Sequence, residues 1–389
     1  MAMEAMQPPE KTSSLETLLN LPLRGENPYI TQWKNAGGRI FGYICSYVPE
    51  EVLYAHEGPG KILPIRMGAQ GCQTTEDADI HMNKIMCSFA RCLLQLGLTG
   101  EYDFLDGLVV TNCCEHMRRI YEQWRDHTKT PVLSMISVPH EVGGANRLSW
   151  YSEEIQNMTS DIGKKFGYRA TEASLRSAAQ IYDRYRALML ALYALRAAEF
   201  PLLTGSEAMK IAQAGFSMPK EVFNDMLEEA LEELRARPGI HDARARLMVC
   251  GSYLDDTFLM DVIESTGAIV VTDSLCSMRK YIEGSIGEAA DPMAAIIKRY
   301  FSKISCPRMV NSYSNRLDFT RKLVRDAKVD GVIFERMSFC DNHAVENLME
   351  SKVLEKEGIP TLHLEREYMA GDTGRYKTRV QAFLEKIGK

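Results

Sequence analysis

Eight short apolar runs, each closed by polar or turn-forming residues, constrain this chain more than any other feature. They read as strands over 38–44, 62–67, 107–112, 131–137, 246–250, 268–272, 331–335 and 360–364. Amphipathic segments of helical period separate most of them, and such alternation is the signature of parallel sheets covered by helices. Cysteines stand where these strands end: Cys45 after the first run, Cys113 and Cys114 after the third, Cys250 after the fifth, Cys276 past the sixth and Cys340 past the seventh. In an open parallel sheet the carboxyl ends of the strands line the crevice where ligands bind. Thiols far apart in sequence are thereby expected to converge without any short Cys-x-x-Cys motif.

At 389 residues the chain exceeds one ordinary core, so several domains are expected. We read an N-terminal arm over 1–36, a first α/β domain over 37–150, a helical segment over 151–238 and a second α/β domain over 239–389. The fold class is therefore α/β, with two Rossmann-like parallel-sheet domains bracketing helices. The similar layout of the two halves suggests a duplication, although no residue-level repeat is visible.

The formal net charge of −6, with no basic stripe, argues against a nucleic-acid partner. No run approaches the ~18 apolar residues of a membrane span. The opening Met1-Ala2-Met3-Glu4-Ala5-Met6-Gln7-Pro8-Pro9 lacks the basic and apolar regions of an export signal. A cytoplasmic location is expected, and ten cysteines there are buried thiols, metal ligands or catalysts rather than disulfides.

Residues 1–14 read as a loose polar arm that is disordered or draped over a partner, followed by a short helix near 14–20. Pro22 and Pro28 argue for an irregular connection after it. Helices are expected over 49–56, 79–96 and 115–126 in the first half, and over 253–265, 291–305, 314–327, 342–357 and 377–387 in the second. Between the halves, 171–199 carries Leu175, Ala178, Tyr182, Tyr185, Met189 and Leu192 at helical period. Another helix runs from about Pro219 until Pro238-Gly239 stops it.

Three junctions carry chemistry. In Cys45-Ser46-Tyr47-Val48-Pro49-Glu50-Glu51 a strand ends, Ser46 can cap, and Pro49 with two acids opens a helix. Backbone N–H groups and the helix dipole there favour a thiolate. In Thr111-Asn112-Cys113-Cys114-Glu115-His116 adjacent thiols point in different directions. Cys114, nearer the helix start, is the choice for the crevice, and Cys113 is expected to pack into the sheet. His116 orients a ligand or transfers a proton, or else caps or decorates the helix. In Ser338-Phe339-Cys340-Asp341-Asn342-His343, Asp341 or Asn342 is the expected N-cap, with Cys340 in the same relative position as Cys45 and Cys114.

Taken singly, each cysteine is equally a small buried side chain at a strand end. Together, three thiols from two halves suit three irons of a cubane in the cleft between them. Typical cubanes use four cysteines, so one iron would stay open to water or substrate. Structural zinc is a poorer match, because Cys87/Cys92 and Cys113/Cys114 lack its usual ligand spacing. Cys87 and Cys92 read as core residues of an apolar helix, and Cys72 lies in a Gly-rich turn. No Walker A sequence, no G-x-G-x-x-G after a strand and no G-x-S-x-G elbow occurs.

The same residues resemble the 2-hydroxyacyl-CoA dehydratase and benzoyl-CoA reductase superfamily. The resemblance runs from about Gly37 to the C-terminus. It rests on Gly42-Tyr43-Ile44-Cys45-Ser46-Tyr47-Val48-Pro49-Glu50-Glu51, on Asn112-Cys113-Cys114-Glu115-His116, on Phe339-Cys340-Asp341 with Gly358-Ile359-Pro360, and on Thr378-Arg379-Val380-Gln381-Ala382-Phe383. It implies a [4Fe-4S] cluster on Cys45, Cys114 and Cys340 in the interdomain cleft. It also implies a homologous larger cluster-bearing subunit, an ATP-hydrolysing activator fed by reduced ferredoxin, and an acyl-CoA substrate.

Within that superfamily, chain length and the Arg336–His343 context look most like the smaller cluster-bearing subunit of ATP-dependent benzoyl-CoA reductase, an oxidoreductase. A 2-hydroxyacyl-CoA dehydratase subunit is the alternative. Glu50, Glu51 and His116 are the candidate catalytic groups, although acids after Pro49 also simply complement the helix dipole. The doublet Cys113-Cys114 leaves the ligand choice open. Cys276 and Cys306 either pack or enlarge the metal site, as in the branch carrying a double-cubane cluster.

Overall fold

The computed structural model describes residues 12–58, 60–369, 371 and 373–389. The chain opens with α1 (Ser14–Asn20), α2 (Pro28–Asn35), β1 (Arg39–Tyr43), α3 (Glu50–Tyr54), β2 (Ile62–Arg66), α4 (Ala78–His81), α5 (Ser88–Leu98), β3 (Gly107–Thr111), α6 (Glu115–His127) and β4 (Val132–Ile136). Four helices follow without a strand: α7 (Ala145–Phe166), α8 (Glu172–Ala197), α9 (Gly205–Gly215) and α10 (Lys220–Arg235). The remainder runs β5 (Arg246–Gly251), α11 (Phe258–Glu264), β6 (Ile269–Ser274), α12 (Arg279–Ile282), α13 (Pro292–Ser302), α14 (Tyr313–Asp326), β7 (Gly331–Met337), α15 (Asp341–Lys356), β8 (Thr361–Arg366) and α16 (Thr373–Lys386).

All eight expected strands form, and they build two four-stranded sheets in the orders β2-β1-β3-β4 and β6-β5-β7-β8. Every pairing is parallel, from Arg39↔Ile62 in the first sheet to Met337↔Arg366 in the second. The two orders are the same topology shifted by four strands. In each, the chain moves to one side and then crosses to the other, so the switch points lie between β1 and β3 and between β5 and β7. Gly251 ends β5 at φ +150°, where a Cβ would stand 1.9 Å from the Glu335 carbonyl oxygen, so only glycine fits.

The α-only segment seals both sheets. Met189, Leu192, Leu227 and Leu231 join one core with Val249, Val270 and Phe383, whereas Tyr151, Ile155 and Met158 pack with Val109 and Ile136 of the first sheet. α8 is fastened to β6 by Arg196, which donates to Asp273 at 2.7 Å, both side chains fully enclosed. Tyr193 adds a 2.5 Å bond to the same carboxylate.

Several local expectations change. Pro28 does not break the chain but occupies the first turn of α2, with Asn27 accepting from Tyr29 N–H at 2.9 Å. The helix expected over 79–96 is two helices, because Met82 turns extended and Asn83 takes the Ile85 N–H in an Asx turn. The helix expected from 253 begins only at Phe258, and the all-helical stretch begins at Ala145 rather than beyond 150. α9 was not anticipated, although Thr204 and Glu207 form a capping box at its start. The polar-arm reading falls outside the described residues for 1–11; Ser13 caps α1 by accepting from Glu16 N–H.

Replacing Asp273 with Asn removes the charge opposite Arg196, and breaking a buried pair costs about 3–5 kcal/mol. Urea unfolding of D273N is expected to show a loss of that order. A loss below about 1 kcal/mol, the range of surface pairs, would mean the pair does not fasten α8 to the sheet.

Candidate metal centre between the two sheets

The carboxyl ends of the two sheets face each other. Tyr253 donates to the Met67 carbonyl at 3.3 Å, Ala69 N–H to Asp255 at 2.8 Å, and Tyr368 N–H to Ser88 at 2.7 Å, each bond crossing between the halves. Of the ten cysteines, six are half-exposed: Cys45, Cys113, Cys114, Cys276, Cys306 and Cys340. All six belong to this edge-to-edge region, whereas Cys72, Cys87, Cys92 and Cys250 are buried in the cores.

Parallel pairing explains the first cluster of thiols. β1 and β3 are neighbours, and Ile44 N–H still donates to Val109 at 3.1 Å, so the chain leaves both strands side by side. The Cys45 and Cys113 thiols hydrogen-bond to each other, and Cys113 also meets Cys114. The Cys113 contact, followed by burial, raises the Cys45 thiol well above its usual range, and the Cys114 contact does the same to Cys113. Cys113 thus packs against the core of the first sheet, as expected, yet stays half-buried with its thiol against Cys45 and Cys114.

Cys340 stands across the cleft. It is the N-cap of α15, so neither Asp341 nor Asn342 takes that place, and its sulfur receives the His343 backbone N–H while burial raises its pKa. Cys114 likewise caps α6. Both thiols thus sit at the positive ends of helices. The Cys45 loop differs: Ser46 does not cap α3, whose N-cap is Pro49, but accepts from Lys303 of the other half at 2.7 Å.

Backbone conformation singles out the same loops. Among the described residues only three non-glycine residues have positive φ: Cys45 at 81°, Phe339 at 65° and Lys328 at 49°. Two of the three are a candidate ligand and the neighbour of another. Such conformations cost of order 1–3 kcal/mol and collect at functional sites.

Cys306 and Cys276 complete the rim. Burial raises the Cys306 thiol to about 11, with Cys276 and Cys45 both adding to the shift. Arg66, at the end of β2, donates to the Cys276 carbonyl at 2.9 Å and lies 3.6 Å from its sulfur. Lys303 covers the Tyr47 ring at 4.5 Å, and burial beside Arg299 draws its ammonium down to about 7 against the pull of Cys45 and Cys276. Sequence reasoning missed both cations. The available signals were that Arg66 sits on the carboxyl edge of a predicted strand and Lys303 three residues before Cys306.

The expected acids are placed differently from one another and from His116. Glu50 is wholly enclosed; it accepts from Tyr43 at 2.5 Å, Tyr182 at 3.2 Å and Lys220 at 3.1 Å, and from Tyr281. Glu51 is equally enclosed and pairs with Arg186. His116 is half-exposed, its pKa lowered by burial and held up by Asp341 across the cleft. His343 is depressed to about 3 by burial and by Lys280.

Among the described residues no three Cys, His, Asp or Glu side chains come close enough to hold a single metal ion. An iron–sulfur cluster makes a different demand, since each thiolate binds its own iron and the sulfurs need not meet at one point. Soft thiol donors with no carboxylate among them suit such a cluster better than a hard cation.

Comparison with known proteins identifies the family. The family profile described as 2-hydroxyglutaryl-CoA dehydratase, D-component, matches residues 45–387. The (R)-phenyllactyl-CoA dehydratase beta subunit of Clostridium sporogenes is 23% identical over 93% of this chain and 96% of its own length. One of the subunits of benzoyl-CoA reductase from Thauera aromatica is 23% identical over 92% of this chain and 93% of its own. The beta subunit of (R)-2-hydroxyglutaryl-CoA dehydratase from Acidaminococcus fermentans is 22% identical over 92% and 95%. No helix among the described residues is long and apolar enough to cross a membrane.

Alkylation of the metal-free native protein, read by mass spectrometry, is expected to label the six half-exposed cysteines well before Cys92 and Cys250, which are 0% and 3% exposed. Equal labelling of all ten would contradict the placement of the thiols.

Proposed function

The chain belongs to the 2-hydroxyglutaryl-CoA dehydratase D-component family, and we propose that within it this chain is the smaller iron–sulfur subunit of an ATP-dependent benzoyl-CoA reductase. What supports the reading is that Cys45 and Cys114 follow the two neighbouring central strands of one sheet and Cys340 follows a central strand of the other, with His116 beside Asp341 and Cys114 and Cys340 packed against one core cluster. These three thiols, as thiolates, would hold a [4Fe-4S] cluster in the cleft. That cluster supplies low-potential single electrons for reducing the aromatic ring of benzoyl-CoA to a cyclic dienoyl-CoA.

The protein's own work is to exclude water, fix the thiols and hold protons near the reacting group. His116, half-exposed and facing Asp341, is the proton-holding side chain at the rim. Glu50 and Glu51, enclosed behind the Cys45 turn, position it rather than touch substrate. The partners in this reading are a homologous larger cluster-bearing subunit and an ATP-hydrolysing activator supplied by reduced ferredoxin, in the cytoplasm.

Two other readings each have a specific support. Dehydration of a 2-hydroxyacyl-CoA is favoured by the dehydratase beta subunits among the relatives, and would make the complex a lyase. A double-cubane cluster is favoured by Cys276 and Cys306 on the same rim.

With the activator and partner subunits present, benzoyl-CoA is expected to be consumed with ATP hydrolysed in proportion. Turnover of a 2-hydroxyacyl-CoA on only catalytic ATP would replace this reading with the dehydratase one. Cys45→Ala, Cys114→Ala and Cys340→Ala are each expected to abolish turnover, whereas Cys113→Ala retains it. The reverse outcome for Cys113 and Cys114 would assign the ligand to Cys113.

A further inference from the structure

Most of the deeply buried cations among the described residues have their donors answered inside the fold. Arg186, Arg196, Lys220, Arg316 and Arg366 each pair with a carboxylate: Glu51, Asp273, Glu50, Glu346 and Glu335 respectively. Arg299 and Arg308, equally buried, instead spend their donors on several backbone carbonyls, and either arrangement offsets the several kcal/mol that an uncompensated buried charge costs.

Two cations at the thiol cleft, buried Arg66 and half-buried Lys303, are answered less fully. Arg66 is 7% exposed and, among the described residues, has no carboxylate partner; its donors go to the Cys276 carbonyl and sulfur, and its Nε is unbonded. The rings of Tyr253, Phe216 and Tyr281 lie 5.0, 5.1 and 5.8 Å from its guanidinium carbon. Lys303 likewise has no carboxylate partner among the described residues, only the Ser46 hydroxyl and the Tyr47 ring. The two reach across the cleft in opposite directions. Arg66 leaves the first sheet for Cys276 of the second half, and Lys303 leaves the second half for the residue beside Cys45.

Both cations lie within electrostatic reach of the Cys45 and Cys276 thiols with no carboxylate partner among the described residues, an arrangement that suits an anion between them. A cluster held by three thiolates is such a group: with the usual two positive charges on its iron–sulfide core it is a net anion, and it gains a further negative charge on reduction. We infer that Arg66 and Lys303 are positioning residues that supply the counter-charge to the thiolate-bound cluster and set its reduction potential. The inference rests on the cluster reading above. Positive charge close to the cluster stabilises the reduced form more than the oxidised one, so the potential depends on net local charge.

The test uses the full chain purified without oxygen, comparing wild type with Lys303→Met, Arg66→Gln and Lys303→Arg. Iron and acid-labile sulfide report loading, and a redox titration followed by electron paramagnetic resonance reports the midpoint potential. Iron-loaded K303M and R66Q are expected at more negative potentials than wild type, with K303R near wild type. Loss of iron from K303M and R66Q with retention in K303R also supports the counter-charge role. An unmoved potential in loaded K303M and R66Q, or loss of iron from K303R as well, overturns it. An iron-free wild type would instead remove the cluster reading itself and this inference with it.

Discussion

The Glu50 carboxylate is the tie on which the architecture of the cleft depends. It has no contact with solvent, yet it accepts hydrogen bonds from Tyr43 of β1, Tyr182 of α8, Tyr281 of α12 and Lys220 of α10. Four elements from the first half, the helical segment and the second half thus close on one side chain. Its neighbour Glu51 pairs with Arg186 of α8. A buried carboxylate left without these donors would be strongly destabilising, so the network fixes α3, and with it the turn carrying Cys45 five residues earlier. Cys45 itself has φ 81°, a conformation that the chain keeps only when its surroundings over-determine it.

The repeated strand order explains why thiols from distant sequence share one cleft. Each half places a switch point between its two central strands, and the two points face each other. The occupants are unequal. After β1 and β3 the first half has Cys45 and the Cys113-Cys114 doublet, whereas after β5 and β7 the second half has Gly251-Ser252 and Cys340. Ser252 spends its N–H and hydroxyl on Glu335, which in turn holds Arg366, so the β5 end is locked as structure. At the central strands the asymmetry leaves one thiol-bearing loop in the second half opposite two in the first, with Cys276 and Cys306 further along the second half's rim.

Much of this was legible in the sequence, because strands buried on both faces are written as unbroken apolar runs. Ile62–Arg66 and Gly107–Thr111 are buried at every residue, and all eight runs became strands. Punctuation was harder to read. Pro28 opens a helix because Asn27 precedes it, while Asn83 breaks one through a side-chain bond that helical periodicity does not register. In the site, the cysteines were visible from their place after strands. Their surroundings were not: Arg66 with Cys276, and Lys303 with Ser46, are 210 and 257 residues apart and meet only through the packing of the two sheets. For the same reason the contact of Cys113 with Cys45 and the place of Glu50 as a hub lay outside what local pattern conveys.

The central claim is that the facing switch points hold an iron–sulfur cluster. It is met most directly by counting iron and acid-labile sulfide in the chain purified without oxygen. About four of each per chain is the predicted result for one cubane. About eight irons would bring Cys276 and Cys306 into the ligand set, and a reproducible absence of both iron and sulfide would contradict the account.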